Sequence, residues 1–210
     1  MGGLPVQITG APLRTVRPRL LRGVYANPEK ELVRWRDTGR LVRIARGTYI
    51  AKPDDIAPGR DWQPRLETTA LAYATAVYGD RVPVLFGVGA ARFHHAIPRA
   101  INVTVIAVPT SHREVRLLTG GRVVFTVRDT TTLDARPERT ELGPALVTTP
   151  EQTLIDLVRW PGLGGMPDQA EEAARLLRDQ TDAVRLALSL ERVPATTRGQ
   201  VERMMEMADG

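Results

Sequence analysis

The chain has 210 residues and a formal net charge of +5, with 42% hydrophobic and 25% charged residues. That is the make-up of an ordinary globular protein of one or two domains, and no run approaches 18 uncharged apolar residues, so a transmembrane helix is excluded. With no cysteine, disulfides, zinc–thiolate sites and thiol catalysis are excluded as well, and a start that lacks a basic segment leading into an apolar core predicts a cytoplasmic protein with no membrane partner.

Charge is unevenly distributed. Residues 1–52 carry eleven Lys/Arg (Arg14, Arg17, Arg19, Arg22, Lys30, Arg34, Arg36, Arg40, Arg43, Arg46 and Lys52) against Glu29, Glu31 and Asp37, a net of +8 that leaves −3 for the remaining residues. A concentrated basic field is the electrostatic footprint of a surface for a phosphate backbone or another polyanion. The plain alternative is a solvated arginine-rich face. Only Lys30 and Lys52 are lysines, and only Ser111 and Ser189 are serines.

Pro5, Pro12 and Pro18 preclude a long helix in residues 1–27, where Val16 to Tyr25 reads as short extended segments. The first clear helix starts at Asn27-Pro28. Asn27 suits the N-cap, Pro28 the first turn, and Glu29 and Glu31 the positive end of the helix dipole. It runs to about Asp37 and stops at Thr38-Gly39. Leu32 and Trp35, three apart, face a core, while Lys30, Arg34 and Asp37 share another face. Two β-prone stretches then flank Arg46-Gly47 and predict a hairpin with glycine at its turn. A short helix feeding a basic hairpin is the C-terminal half of a winged helix-turn-helix, with Arg43 and Arg46 on the wing.

Residues 53–64 hold three prolines and a Pro-Gly pair and predict a linker. Beyond it, Leu66 to Tyr78 predicts an alanine-rich helix ending at Gly79. Val82 to Phe86 predicts a buried strand, and residues 87–95 a further helix. Strands are expected at Ile101–Val108, Glu114–Leu118 and Arg122–Val127, the last two joined as a hairpin through Thr119-Gly120-Gly121. Residues 128–145 read as a polar loop. Thr149 and Gln152 have capping-box spacing around Pro150 and start a helix to Trp160 that turns Leu154, Leu157 and Val158 inward. Three helical stretches follow, near 168–179, 182–191 and 196–208. In the last of these Val201, Met204, Met205 and Met207 form an apolar stripe, suited either to a partner or to capping the core.

The predicted fold is therefore α+β: an N-terminal winged helix-turn-helix-like module (1–52), a linker (53–64), and a larger α+β domain (65–210) with a small mixed or antiparallel sheet and a helical C-terminal tail. The candidate DNA-binding residues are Lys30, Arg34, Arg36, Arg40, Arg43 and Arg46.

Known catalytic patterns do not fit. Gly87-x-Gly89 follows a strand, but Arg92 stands where a dinucleotide fingerprint needs glycine, so close helix packing is the expected reason for the pair. His94 and His95 are sequential and cannot chelate one metal together, and neither serine lies in a nucleophile elbow. No catalytic residue, cofactor or metal site is expected. An unorthodox phosphotransfer would need carboxylates such as Asp54, Asp55 or Asp156 to hold a metal, although Asp156 is expected at the surface or in a cap. For a nuclease-like or nucleotide-handling enzyme no constellation is visible.

Three segments in order carry a resemblance to a known family. Residues 31–49 (ELVRWRDTGRLVRIARGTY) look like the winged module of the AbiEi antitoxins, and the similarity continues through Phe86 to His95, the strand from Asn102 to Val105, and Val147 to Asp156 (VTTPEQTLID). Coverage is roughly residues 28–160. The resemblance implies one half of an abortive-infection toxin–antitoxin pair. In that arrangement the N-terminal domain binds operator DNA to repress its own operon, and the C-terminal domain counters a nucleotidyltransferase-like toxin. The alternative it leaves is an antitoxin that inactivates its toxin covalently, as an atypical protein kinase-like phosphotransferase, with DNA binding secondary or lost.

Overall fold

A computed structural model describes residues 3–57 and 60–206. The fold is α+β. Among the described residues it holds eight α-helices, a three-stranded sheet and a six-stranded sheet, and the C-terminal region is helical.

The N-terminal part opens with a one-turn helix α1 (Val6–Thr9), a 3-10 turn (Pro12–Arg14), strand β1 (Thr15–Val16) and a second 3-10 turn (Pro18–Leu21). The prolines act as expected, each 3-10 turn starting on one. Helix α2 (Pro28–Asp37) follows, then strands β2 (Leu41–Ala45) and β3 (Thr48–Ala51). The hairpin reverses at Arg46-Gly47, where Gly47 has φ of +66°, a conformation glycine adopts without Cβ strain. β3 lies in the middle of the sheet, antiparallel to both neighbours.

Helix α3 (Leu66–Tyr78) spans the predicted residues and ends at Gly79 with φ of +102°. Strand β4 (Val84–Phe86), helix α4 (Gly87–Phe93) and strands β5 (Val103–Val108), β6 (Val115–Arg116) and β7 (Arg122–Val127) come next. Residues 128–145 are not the loop their polarity suggested. They contain β8 (Ala135–Thr140) and the start of β9 (Gly143–Thr148), an antiparallel hairpin at one edge of the large sheet. An edge strand is half solvated and tolerates proline, so Arg136, Pro137 and Arg139 give no strand alternation to read. The six-stranded order is β6-β7-β5-β4-β9-β8, with β5–β7 and β4–β9 parallel and the other pairs antiparallel. Helices α5 (Pro150–Arg159), α6 (Pro167–Arg178), α7 (Ala183–Leu190) and α8 (Ala195–Glu206) complete the chain.

The central strands sort their side chains by the two-residue period of a sheet. Val84, Phe86, Val105 and Ala107 face one core, with Leu154, Leu157, Leu177 and Leu190 of the C-terminal helices. Leu85, Ile106 and Val108 face the other core, with Leu71 of α3. That second core also contains Leu13, Ile44 and Ile50 of the N-terminal part. The apolar packing thus continues across the proline-rich segment 53–64, of which residues 58 and 59 lie outside the described ones. A smaller third cluster of Ile8, Val16, Leu21, Leu32, Trp35 and Leu41 holds α2 on its own sheet.

At the far end, Val201 is fully buried, and Met204 and Met205 pack against the first core. The methionine stripe of α8 therefore caps the interior. Met207 lies outside the described residues. No described helix is long and apolar enough to cross a membrane.

Candidate nucleic-acid interface

Helix α2 is fixed at its start and along one face. The Asn27 side chain accepts a hydrogen bond from the Lys30 backbone N–H at 3.1 Å, satisfying one of the orphan donors of the first turn. Leu32 and Trp35 are buried, and Trp35 meets Tyr25 edge-on with centroids 5.5 Å apart. With that face anchored, Lys30, Val33, Arg34 and Asp37 are exposed. The Arg34 guanidinium lies 2.6 Å from Glu31 in an i,i+3 pair.

The six sequence candidates differ in exposure. Lys30 and Arg34 stand on the solvent face of α2, and Arg46 is exposed at the hairpin tip. Arg36 is half-buried and lies 2.6 Å from Asp37, whose hydrogen bond and charge raise its pKa. Arg40 is half-buried where the chain enters β2. Its N–H donates to the Trp35 carbonyl at 2.9 Å, and its carbonyl accepts from Lys52 N–H at 3.1 Å. Arg43 pairs in register with Tyr49 and is half-buried, with an Nε that makes no hydrogen bond among the described residues.

Part of the N-terminal positive charge holds the fold together, which sequence spacing did not signal. Arg19 Nη2 donates to the Ala76 carbonyl at 2.8 Å, and Arg17 Nη1 approaches the same oxygen at 3.5 Å. Ala76 lies in the last turn of α3, where carbonyls lack helical partners and the dipole favours cations. Arg17 Nε also donates to Thr48 Oγ1 of β3 at 3.1 Å. Arg14 pairs with Asp54 at 2.7 Å, and this contact holds the Asp54 carboxyl below its ordinary pKa.

The remaining residues singled out by sequence have structural settings. A Cβ at Gly89 would collide with Thr104 Oγ1 and Leu85, so this glycine serves the close approach of α4 to the sheet. His94 Nε2 lies 2.7 Å from the Thr148 carbonyl. Among the described residues no group of three His, Asp or Glu side chains is placed to hold a metal. Asp156 is neither at the surface nor in a cap. It is 2% exposed, and burial raises its pKa well above the usual carboxylate range.

No protein-family model and no curated protein matches the chain. Among solved structures it is similar to the crystal structure of the RV2827C protein from Mycobacterium tuberculosis. The TM-score is 0.59 at 18% identity, over 91% of this chain and 71% of that one. At that identity the likeness shows a shared fold and nothing of activity.

Proposed function

We propose that this chain is the cytoplasmic antitoxin of a bacterial toxin–antitoxin pair, AbiEi-like, which represses its own operon and counters a nucleotidyltransferase-like toxin. The observation that carries the DNA-binding half is the packing of α2 beside the β2–β3 hairpin on a sheet of order β1-β3-β2. The chain runs helix, 3-10 turn, strand, 3-10 turn, helix and hairpin, an order we read as a reduced winged helix with the turn Pro18–Leu21 in place of the second helix. On this reading α2 enters the major groove with Lys30 and Arg34, and Arg46 on the wing meets phosphate or the minor groove. The toxin-facing half rests on the sequence resemblance over residues 86–95, 102–105 and 147–156.

Two measurements on the full-length protein test it. A gel shift with the fragment upstream of its own gene is expected to show binding at low salt that weakens steeply as salt rises. Co-expression with the product of the adjacent gene is expected to restore growth that the product alone arrests. Absence of a shift at low salt removes the DNA-binding role, and growth arrest despite co-expression removes the antitoxin role.

A further inference from the structure

Three segments remote in sequence surround a cavity of about 820 Å³ in the C-terminal half: the β7–β8 connection, helix α5, and α7 with the turn after it. Four guanidiniums line it, from Arg128, Arg159, Arg185 and Arg192, against the carboxyls of Asp129, Asp134 and Asp156.

The arginines are of two kinds. Arg185 is a tie between elements: its Nη2 lies 3.0 Å from Asp134 Oδ2 and 3.7 Å from Glu151 Oε2. Arg128, Arg159 and Arg192 form no ion pair with a carboxylate among the described residues. Two of them stack on one indole, the Arg128 guanidinium 3.9 Å and that of Arg159 4.3 Å from the Trp160 ring centroid. A guanidinium stacked on an aromatic face is held in orientation while its in-plane N–H edge stays free for an oxyanion. Arg128 Nη1 donates to the Val127 carbonyl at 2.6 Å, while its Nε is buried and donates to nothing among the described residues.

Asp156 supplies a second, independent sign of a missing partner. Its Oδ1 accepts from Gln152 Nε2 at 2.9 Å, while Oδ2 is buried with no hydrogen bond among the described residues. A buried polar atom without a partner is costly, and a bound ligand removes that cost. Four guanidiniums thus face three carboxyls on the walls, and burial pushes one of these, Asp156, toward its neutral form. The cavity therefore selects an anion, and its size falls in the range of small-molecule sites, on the order of 300–1,000 Å³, far more than a lone phosphate fills.

We propose that this cavity binds a phosphorylated small molecule of nucleotide size, its phosphate held by Arg128, Arg159 and Arg192 and its organic part hydrogen-bonded to the unpartnered oxygen of Asp156. The site draws nothing from residues 1–52 and does not depend on the DNA-binding reading.

The test is calorimetric titration of the full-length protein, at low ionic strength, with the four common nucleoside monophosphates, inorganic phosphate and adenosine. At least one monophosphate is expected to saturate a single site per chain, with phosphate weaker by about tenfold or more and adenosine silent. Arg159→Ala and Arg192→Ala alter exposed side chains, so melting and circular dichroism should stay as in the parent while affinity falls by about tenfold. Arg46→Ala on the distant hairpin should leave the affinity unchanged. Saturable binding by none of the monophosphates at millimolar concentration overturns the proposal. So does an affinity indifferent to the two cavity variants, or one lost in Arg46→Ala, which would move the binding to the N-terminal basic surface. Equal affinity for phosphate and nucleotides also refutes it, since the organic part would then contribute nothing.

Discussion

The backbone N–H of Leu118 donates to the carbonyl of Ile44 at 2.9 Å, which joins the β2 edge of the N-terminal hairpin to the segment that follows β6. The Ile44 and Ile50 side chains are fully buried beside Leu71 and Ile106, so the hairpin is docked by main-chain bonding and by apolar packing together. A helix–hairpin unit on a flexible tether would show neither. Its position relative to the large sheet is set within one continuous core.

That docking predicts the outcome of proteolysis. Asp54, Asp55, Arg60 and Asp61 are exposed, so a protease of suitable specificity cuts within 53–64 first. The two fragments are expected to co-elute on size exclusion and to separate only in denaturant, because the cut leaves the shared core intact. Separation of the fragments in native buffer would show that the apolar contact contributes little.

For DNA, the exposed arginine at the hairpin tip and the exposed basic residues of α2 should behave differently. Arg46→Ala should weaken binding to all sequences about equally and make the log–log salt slope shallower by about one. Lys30→Ala and Arg34→Ala should lower operator preference over random DNA, each by about 1–3 kcal/mol if it reads a base edge. Competition gel shifts at two salt concentrations separate these outcomes. A uniform loss in all three variants would mean that α2 contacts only backbone.

Gly89→Ala probes the packing reading of the glycine pair. The added methyl meets Thr104 Oγ1 and Leu85 in a fully buried setting, and overpacking of this kind costs about 1–3 kcal/mol. Thermal unfolding should shift down by several degrees, given about 2–4 °C per kcal/mol for a chain of this size. An unchanged melting temperature would mean that the sheet yields freely and that close approach is not what requires glycine here.

Elements with strong local signals were legible in the sequence. Helix α3 runs over the predicted residues because an apolar, alanine-rich stretch meets glycine at 79. Helix α5 starts where Thr149 accepts from Gln152 N–H at 3.3 Å. The reciprocal half of that capping box is absent, since the Gln152 side chain donates instead to Asp156. Strands β8 and β9 were invisible because an edge hairpin needs a neighbouring strand more than an internal pattern. The arginine-lined cavity was hidden for a related reason. Arg128, Arg159 and Arg192 meet only through tertiary packing, and a single aspartate in an amphipathic helix does not announce that it is buried.

Asp156 gives the last prediction. Burial is the main cause of its raised pKa, opposed by the Gln152 hydrogen bond and by the charges of Arg128 and Arg159. A carboxyl whose pKa is higher folded than unfolded takes up protons on folding, so its stabilising contribution is present at acid pH. That contribution is lost as pH rises from the ordinary carboxylate value, about 3.9, through the raised folded value. Asp156→Asn keeps the shape and an acceptor for Gln152 but cannot ionise. Its melting temperature should therefore match the parent near the acid end and exceed it increasingly as the pH climbs from the ordinary carboxylate value toward the raised folded one. Melts of both proteins in one buffer series without phosphate or nucleotide make the comparison. Parallel curves across the series would mean that Asp156 has the same proton affinity folded and unfolded. A variant that falls below the parent at high pH would mean that the ionised carboxylate is held by Arg128 and Arg159 strongly enough to outweigh its burial.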